Sequence, residues 1–301
     1  MERATTTALA PERAKWTAFV ELLKPITWFP PMWAYGCGLI ASGQPLLDRL
    51  PFALAGIALA GPLVCGTSQV VNDWFDREVD AINEPQRAIP SGRVSVRAAL
   101  IFAIAWTVLS LVVAITLGSW VTIAAVIGLA LAWAYSAPPF RLKQNGWYGN
   151  AAVGLCYEGL PWFTAAAVMT ASLPSTHTLL LALLYSIGAH GIMTLNDFKA
   201  IEGDRQLGIR SLPVQLGAQR AAWLACIVMA IPQMIVITLL LSWGAFAAAM
   251  IVTALLAVQV ALMARFLTNP IRFATWYSAL GVSLYVSGML ASAIAVRGLL
   301  T

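Results

Sequence analysis

The chain has 301 residues, of which 60% are hydrophobic and 10% are charged, and its mean hydropathy is +0.79. An ordinary soluble domain carries about 25% charged residues, so this composition excludes that class and predicts a protein that lies in a bilayer. The formal net charge of +5 does not require a nucleic acid partner, because the cations follow the pattern that orients membrane proteins.

Long stretches without Asp, Glu, Lys or Arg predict nine transmembrane helices, since about 20 apolar residues cross the hydrocarbon core. They form one predicted all-α, polytopic domain over residues 25–301, after an N-terminal cytoplasmic segment 1–24 that lacks the pattern of a removable signal peptide. The nine predicted helices cover residues 26–43, 51–72, 96–117, 119–136, 147–170, 178–197, 220–241, 243–266 and 273–297.

The basic residues predict the orientation. When the N-terminus is placed in the cytoplasm, only Arg49 and Arg297 of the 18 Lys and Arg fall on the other side, in agreement with the positive-inside rule. Two long cytoplasmic loops are then expected at about 73–95 and 198–219, and they hold most of the acidic residues. We therefore expect function at the cytoplasmic ends of the second and sixth helices.

The first acidic motif directly follows the second predicted helix and has the pattern NDxxDxxxD. If the helix continues, Asn72, Asp76 and Asp80 recur every four residues and Asp73 lies three residues before Asp76, so the carboxylates crowd one face. Oxygen ligands of this kind suit Mg²⁺, which takes a few carboxylates together with phosphate oxygens and water. The alternative interpretation is a solvated acidic loop.

Polar residues also interrupt the middle of the chain. Tyr135 begins a segment whose prolines end the fourth helix, and Arg141 and Lys143 follow them. These two cations are suitable diphosphate ligands, or else ordinary positive-inside anchors. Glu158 is the only acid in the interior of a predicted span, which makes it a functional candidate, either as a contact for the acceptor or in a hydrogen bond between helices.

The second acidic motif follows the sixth helix. Asp197 and Asp204 are seven residues apart and share one face if the helix continues, although Gly203 is a candidate helix breaker, and a solvated loop is the alternative. Arg205 directly follows Asp204 and is a further candidate diphosphate ligand. His190 lies on the face of Asp197, where a packed, hydrogen-bonded histidine is favoured over a contact with the acceptor.

The two motifs resemble each other, since Val71-Asn72-Asp73 begins one and Leu195-Asn196-Asp197 the other. This predicts a duplicated four-helix unit plus a ninth helix, with the acid clusters facing each other across a central cavity. Together with the cations they match a diphosphate leaving group, whose developing charge needs electrostatic stabilisation. Trp74 and Phe75, next to the first acids, are candidate contacts for a prenyl chain or an acceptor.

A cation-coupled transporter is a competing function from a different class. Its ion sites would be expected near the bilayer midplane, in broken helices. Here the acids cluster at the cytoplasmic ends of the predicted helices, which favours an enzyme.

The motifs at 72–80, 135–143 and 197–204 resemble the UbiA superfamily of intramembrane prenyltransferases, over the whole chain. The longer runs NDWFDREVDAINEPQRAIPSGR, from residue 72, and NDFKAIEGDRQLGIRSLP, from residue 196, are similar to the chlorophyll and bacteriochlorophyll synthases within it. Phe75, Gln86 and Ala88 depart from the usual pattern of those synthases, but none of them removes a charged group.

The resemblance implies the nine-helix fold of that superfamily and esterification of the 17-propionate of bacteriochlorophyllide a by geranylgeranyl or phytyl diphosphate. Chlorophyllide a, a quinone precursor or haem is the alternative acceptor. The resemblance also implies Mg²⁺ as the cofactor, with Mn²⁺ as a substitute. It further implies a location in the inner or intracytoplasmic photosynthetic membrane, with pigment-assembly proteins as partners. A propionate is already ionised at neutral pH, so no catalytic His or Cys is expected.

The residue roles implied by the resemblance concern the diphosphate and its metal. Asp73, Asp76, Asp197, Arg141 and Lys143 are expected to carry catalysis. The residues expected to serve the metal are Asn72, Asp73, Asp76, Asp80, Asp197 and Asp204, and those expected to contact the substrates are Tyr135, Arg141, Lys143, Arg205, Glu158, His190, Trp74 and Phe75.

Overall fold

A computed structural model describes residues 13–300 of the chain. The first twelve residues of the predicted cytoplasmic segment, including Arg3, lie outside the described residues. Within residues 13–300 every regular secondary-structure element is a helix, and the only β pairing is an isolated bridge between two loops. This confirms the predicted all-α class.

The helices are numbered in chain order. They are α1 (Arg13–Leu22), α2 (Phe29–Ala41), α3 (Leu50–Ala58), α4 (Gly66–Asn83), α5 (Val96–Leu117), α6 (Ser119–Ser136), α7 (Gly146–Gly154), α8 (Leu160–Thr170), α9 (Thr176–Asp197), α10 (Ile201–Gln206), α11 (Leu212–Leu216), α12 (Ala218–Ser242), α13 (Phe246–Thr268) and α14 (Pro270–Leu300).

Eight continuous helical segments of the described chain are long and apolar enough to cross a membrane, so the predicted count of nine is not confirmed. The difference lies in the first predicted span, where α2 has 13 residues. A helix of that length rises about 20 Å, less than the roughly 30 Å of the hydrocarbon core. Prolines in its first turn, which are tolerated there, and a 3₁₀ turn at Pro25–Thr27 shorten the helical part of the apolar stretch.

Two of the long segments are widened by π-helical turns. Leu59–Cys65 joins α3 to α4, and Leu155–Gly159 joins α7 to α8. Pro62 lies inside the first of these turns, where it cannot donate the usual helical hydrogen bond, and the Trp106 indole donates to its carbonyl oxygen at 2.9 Å. Such turns often mark functional positions in a helix, and both line the cavities described below.

The two acidic motifs differ in local structure. The second long helix does not end near residue 72, as predicted, but continues as α4 to Asn83, so the first motif is helical throughout. By contrast α9 ends at Asp197, and Asp204 belongs to the separate α10. The condition for Asp197 and Asp204 to share one helical face, a continuing helix, is therefore not met. The break lies at residues 198–200, whereas Gly203, the candidate helix breaker, is inside α10.

The transmembrane helices form one packed bundle. Helix α9 packs against α7, α12 and α14, and α2 packs against α8 and α14. Two buried tyrosine hydroxyls of this core are paired: Tyr185 and Ser292 hydrogen bond at 2.7 Å, and the Tyr285 hydroxyl donates to the Tyr185 carbonyl oxygen at 2.7 Å. Internal pairing of this kind is what a bilayer requires, since lipid tails offer no partners.

Candidate active site

Asp76 and Lys143 form the central contact of the site. Asp76 lies on α4, and Lys143 is in a 3₁₀ turn at Leu142–Gln144 before α7. The Lys143 ammonium lies 2.5 Å from both carboxylate oxygens of Asp76, and the Arg141 guanidinium is 3.9 Å from one of them. Burial lowers the pKa of Lys143 although Asp76 opposes the shift. The Lys143 ammonium is therefore a cation with little water around it, and it lies where the sequence predicts that a diphosphate binds.

The other two acids of the first motif are also paired with cations. Lys24 donates to Asp73 at 2.6 Å, and Arg87 donates to Asp73 at 3.2 Å and to Asp80 at 3.0 Å. Burial alone would lower the pKa of Arg87, but Asp73, Asp80 and Glu84 together raise it. Arg87 thus fixes the helical end of the motif by linking two of its turns.

Asn72 lies where α4 meets α6. Its side-chain nitrogen donates to the Ser136 hydroxyl at 3.2 Å. This contact does not use the amide oxygen of Asn72. Mg²⁺ accepts amide oxygens as ligands. Asn72 also lines a cavity together with Tyr135.

The second motif approaches the first around Tyr135. Asp197 accepts a hydrogen bond from the Asn150 amide at 3.2 Å, and burial raises the pKa of Asp204. Asp76, Asp197 and Asp204 all lie close enough to act electrostatically on the Tyr135 hydroxyl. The fold therefore brings carboxylates from both motifs to one side chain.

Backbone hydrogen bonds join the loop that carries Lys143 to the loop that follows the second motif. The Arg210 amide donates to the Gln144 carbonyl oxygen at 2.8 Å, and the Gly146 amide donates to the Arg210 carbonyl oxygen at 2.8 Å. A Cβ atom at Gly146 would lie 2.6 Å from the Leu212 amide nitrogen. Only glycine lets the two loops approach this closely.

An apolar cavity leads from the site into the bundle. It has a volume of about 220 Å³, with Asn72 and Tyr135 at the end near the acids and both π-helical turns in its walls. A smaller cavity of about 30 Å³ continues from it and shares Ala60 and Gly128 with it. We call the two together the first cavity. Its shape and lining suit an apolar chain whose polar end remains at the acids.

A second cavity lies on the other side of Tyr157, Val153 and Met193, which line both spaces. It has a volume of about 590 Å³, extends between α2, α9 and α14, and reaches from Asn196 to Glu158. Glu158 is buried in the π-helical turn, and its Oε2 atom has no hydrogen-bond partner among the described residues. The hydrogen bond between helices that was one interpretation of Glu158 is absent for this atom.

Two predicted substrate contacts pack away from both cavities. The Trp74 indole donates to the Val96 carbonyl oxygen at 3.1 Å, and its ring meets Phe75 edge-on at 4.8 Å. Both rings pack against a cluster that includes Leu22 and Val70. Neither ring is among the residues lining the first or second cavity.

Arg205 and His190 likewise lie outside the cavity walls. Arg205 is an exposed side chain that pairs with Glu202 at 3.1 Å. The His190 ring lies 5.9 Å from that of Trp147, and its Nδ1 atom is buried without a hydrogen-bond partner among the described residues. The structure does not bring either residue into contact with the Asp76 and Lys143 pair.

Sequence reasoning missed two residues of this arrangement and predicted a different role for a third. Lys24 ends the N-terminal segment and gave no signal, because its partner Asp73 is 49 residues away. Arg87 was one of several loop arginines interpreted as weaker candidate diphosphate ligands, whereas the structure pairs it with Asp73 and Asp80. Asn150, by contrast, is an amide inside an apolar stretch, and a polar residue at membrane depth is a recognisable signal of function or specific pairing.

The donor set fits a hard cation that is bound mainly through phosphate. No three His, Cys, Asp or Glu side chains converge in a metal-binding group anywhere in residues 13–300. The available groups are carboxylate and amide oxygens on two facing motifs, and Mg²⁺ needs only one or two protein carboxylates when it keeps water and phosphate oxygens. Asp76 and Asn72 from one motif and Asp197 from the other have this chemistry.

Comparison with known proteins gives close relatives along almost the whole chain. The model of the UbiA prenyltransferase family matches residues 28–295. The bacteriochlorophyll synthase 33 kDa chain of Cereibacter sphaeroides is 56% identical, over 94% of this chain and 93% of its own length. The chloroplastic chlorophyll synthase of Avena sativa is 38% identical, over 93% of this chain and 76% of its own.

Solved structures agree on the fold. A structure described for digeranylgeranylglyceryl phosphate synthase in membranes has a TM-score of 0.75 at 22% identity, covering 94% of this chain and 99% of that one. A UbiA homolog from Archaeoglobus fulgidus bound to GPP and Mg²⁺ has a TM-score of 0.67 at 20% identity, covering 91% and 99%. With the family model spanning most of its length and a relative at 56% identity, this chain is a multi-pass membrane protein that belongs to the UbiA prenyltransferase family.

Proposed function

We propose that this protein esterifies the 17-propionate of bacteriochlorophyllide a with geranylgeranyl or phytyl diphosphate and releases diphosphate. The observation that carries the proposal is the gradient of identity, which is 56% to a bacteriochlorophyll synthase and 38% to a chlorophyll synthase. Both relatives are aligned with more than nine tenths of this chain, so the motifs and the cavities lie within the compared region.

The diphosphate binds at Lys143 and Arg141. Its oxygens compete with Asp76 for these cations, and the short contact between Lys143 and Asp76 is exchanged for contacts to the leaving group. Arg offers a planar fork and Lys a compact charge, a suitable combination for phosphate oxygens. Asp76 is thereby released to serve the metal.

Mg²⁺, for which Mn²⁺ can substitute, would be held by residues of both motifs. The proposed set is Asn72, Asp73, Asp76, Asp80, Asp197 and Asp204. Bound with the diphosphate, the metal would offset the negative charge that grows as the carbon–oxygen bond breaks. A UbiA homolog with the same fold is bound to GPP and Mg²⁺, which supports Mg²⁺ as the metal.

The reaction needs no general base. The allylic carbon–oxygen bond breaks and its electron pair leaves with the diphosphate, while a propionate oxygen uses its own lone pair to form the ester bond. The propionate is already ionised at neutral pH, and no proton has to move. Tyr135 stands between the motifs, at the mouth of the first cavity, and positions the reacting end of the donor.

The two cavities give each substrate its own place. The prenyl tail lies in the first cavity, and the second cavity, which opens between α2 and α14, receives the tetrapyrrole from the membrane. Tyr157, Val153 and Met193 line both cavities and lie between them. The largely apolar lining of both spaces disfavours water, which protects a cation-like prenyl carbon from hydrolysis.

Residues 25–301 form a single catalytic domain, with the acidic motifs and the N-terminal segment on the cytoplasmic face of the inner or intracytoplasmic photosynthetic membrane. The distribution of Lys and Arg supports this orientation. Pigment-assembly proteins are the expected partners, because the esterified product is water-insoluble and must be passed on.

The test is esterification by the purified protein in detergent, with bacteriochlorophyllide a or chlorophyllide a, geranylgeranyl diphosphate and Mg²⁺, followed by chromatography of the pigment. We expect esterified bacteriochlorophyllide, lost with EDTA, restored by Mg²⁺ or Mn²⁺, and lost in Asp76→Ala. Glu78→Gln is the matched control, since Glu78 is on the same helix but exposed. A folded protein that esterifies neither pigment would contradict the proposal and direct the search to quinone precursors and haem.

A further inference from the structure

Glu158 has a position that the proposed reaction does not use. Its side chain is only 5% exposed, and it is the one carboxyl group among the residues that line the second cavity. Its Oε2 atom has no hydrogen-bond partner among the described residues. A buried polar atom without a partner costs free energy unless a ligand supplies the partner.

The chemistry of that ligand follows from the form of the carboxyl group. No Lys, Arg or His lines the second cavity, so nothing there offsets the charge of an anion in an apolar surrounding, and the neutral acid is the favoured form. A neutral carboxylic acid donates one hydrogen bond through its O–H group. The matching ligand atom is an acceptor, such as a carbonyl oxygen.

Two other polar groups at this cavity, an indole and a hydroxyl, already have partners. The Trp33 indole donates to the Val286 carbonyl oxygen at 3.2 Å, and the Ser283 hydroxyl donates to the Ala279 carbonyl oxygen at 2.8 Å. Glu158 therefore stands out as the lining side chain with a buried, unused hydrogen-bonding atom.

The distance from the acids fits a rigid acceptor. Asn150, which holds Asp197, and Glu158 are eight residues apart on one continuous helical segment, a rise of about 12 Å. The second cavity connects the two levels, since Asn196 and Glu158 both line it. An acceptor whose propionate reaches the acids would place the far side of its macrocycle near Glu158.

We infer that Glu158 is a specificity-determining residue that donates a hydrogen bond to the acetyl carbonyl of the bacteriochlorophyllide macrocycle. This inference rests on the proposed function. Bacteriochlorophyllide a carries an acetyl group on a pyrrole ring other than the one that bears the propionate, and chlorophyllide a carries a vinyl group there. A vinyl group cannot accept the bond, so the buried donor remains unpaired and the wrong pigment is disfavoured.

The direct test is vibrational spectroscopy of bacteriochlorophyllide a bound to the purified protein without a prenyl donor. A hydrogen bond lowers the stretching frequency of the acetyl carbonyl. We expect the lowered frequency with the wild type and with Glu158→Gln, which keeps an N–H donor, and the free frequency with Glu158→Leu. A free acetyl frequency in the wild-type complex would overturn the inference, even when the same sample esterifies the pigment.

The kinetic test compares kcat/KM for bacteriochlorophyllide a and chlorophyllide a. In Glu158→Leu the ratio should fall about tenfold, the upper range for one neutral hydrogen bond, through loss of activity on bacteriochlorophyllide. Glu158→Gln should keep most of the ratio, and so should Ser283→Ala, which removes a hydroxyl of the same cavity that is already satisfied.

The outcomes separate the inference from the proposed function. Equal losses on both pigments in Glu158→Leu, or an unchanged ratio, would assign Glu158 a structural role and overturn the inference while esterification stands. Absence of pigment binding and esterification in the wild type would overturn the proposed function, and the inference with it. A lower melting temperature in Glu158→Leu alone would also count against it, since removal of an unpaired buried polar group should not destabilise the fold.

Discussion

Lys143 is the side chain that links the acids to the proposed leaving group. It is only 13% exposed and both of its short contacts are to Asp76. A substrate diphosphate can therefore bind here by exchange of one anion for another, without dehydration of a free cation. The contact with Asp76 thus stabilises the positive charge of the buried Lys143 until the diphosphate binds.

Removal of the Lys143 charge should lower activity with the prenyl diphosphate donor, and not only the stability of the fold. We expect Lys143→Met to lower kcat/KM for the prenyl diphosphate on the order of 100-fold, as for other preorganised groups at a developing charge. Lys143→Arg should keep part of the activity, because the charge remains and only its geometry changes. Steady-state kinetics with varied donor concentration measures this. Lys199→Met is the control, since Lys199 is an exposed cation of the other loop, and an equal loss there would contradict a specific role.

At the residue scale, the sequence predicted which residues belong to the site but not which distant residues contact each other. Asp76 and Lys143 were both recognised, because each belongs to a motif with its own chemical pattern. Their mutual contact spans 67 residues and depends on how α4 and the loop before α7 pack, which no local pattern encodes. Lys24 was missed for the same reason.

At the scale of elements, the two π-helical turns shape the first cavity. Leu59–Cys65 and Leu155–Gly159 both line it, and Gly128 of α6 lies at the junction of its two parts. A Cβ atom at Gly128 would lie 3.5 Å from both Leu160 and Val64, which is ordinary contact. Space for one methyl group therefore exists there, but not for a large side chain.

Substitution at Gly128 should select donors by length. Gly128→Leu should lower kcat/KM for geranylgeranyl diphosphate by about 5- to 150-fold, from an overpacking cost on the order of 1–3 kcal/mol, and should leave a five-carbon donor nearly unaffected. Gly128→Ala is the matched control and should resemble the wild type. Competition between the two donors, with products separated by chromatography, gives the ratio. Equal losses for both donors would contradict a tail-binding role of this cavity.

The predicted helix bounds were most accurate where the sequence marks both ends. Helices predicted at 96–117 and 119–136 are found as Val96–Leu117 and Ser119–Ser136, because Gly118, at a φ of 120°, separates them. Charge alone was a poor guide to a helix end, since α4 continues through the first acidic motif to Asn83 and ends before Pro85. The π-helical turns have no signal in a pattern of period 3.6.

At the scale of the whole molecule, the proposed catalytic groups lie at one end of the bundle. Lys24, the end of α4, the loop before α7 and the end of α9 all meet there. The distribution of cations predicts that this end faces the cytoplasm. Both proposed substrates would then meet the acids at the same membrane surface.

The orientation can be measured with single cysteines in a variant whose four native cysteines are replaced by alanine. Ser172→Cys and Ala81→Cys introduce exposed thiols at opposite ends of the bundle. A membrane-impermeant maleimide added to intact cells with a permeabilised outer membrane should label position 172, and position 81 only after the inner membrane is opened. The reverse pattern would contradict a cytoplasmic active site.

The backbone bridge between the loops also bears on how such a site changes in evolution. The hydrogen bonds among Gln144, Gly146 and Arg210 use only main-chain atoms, so they survive most side-chain substitutions on either loop. The distance between the two halves of the site therefore does not depend on which side chains face the substrates. Acceptor preference can drift by point substitution in the cavity walls, whereas a one-residue insertion or deletion in either loop would change the register and disable the site in a single step.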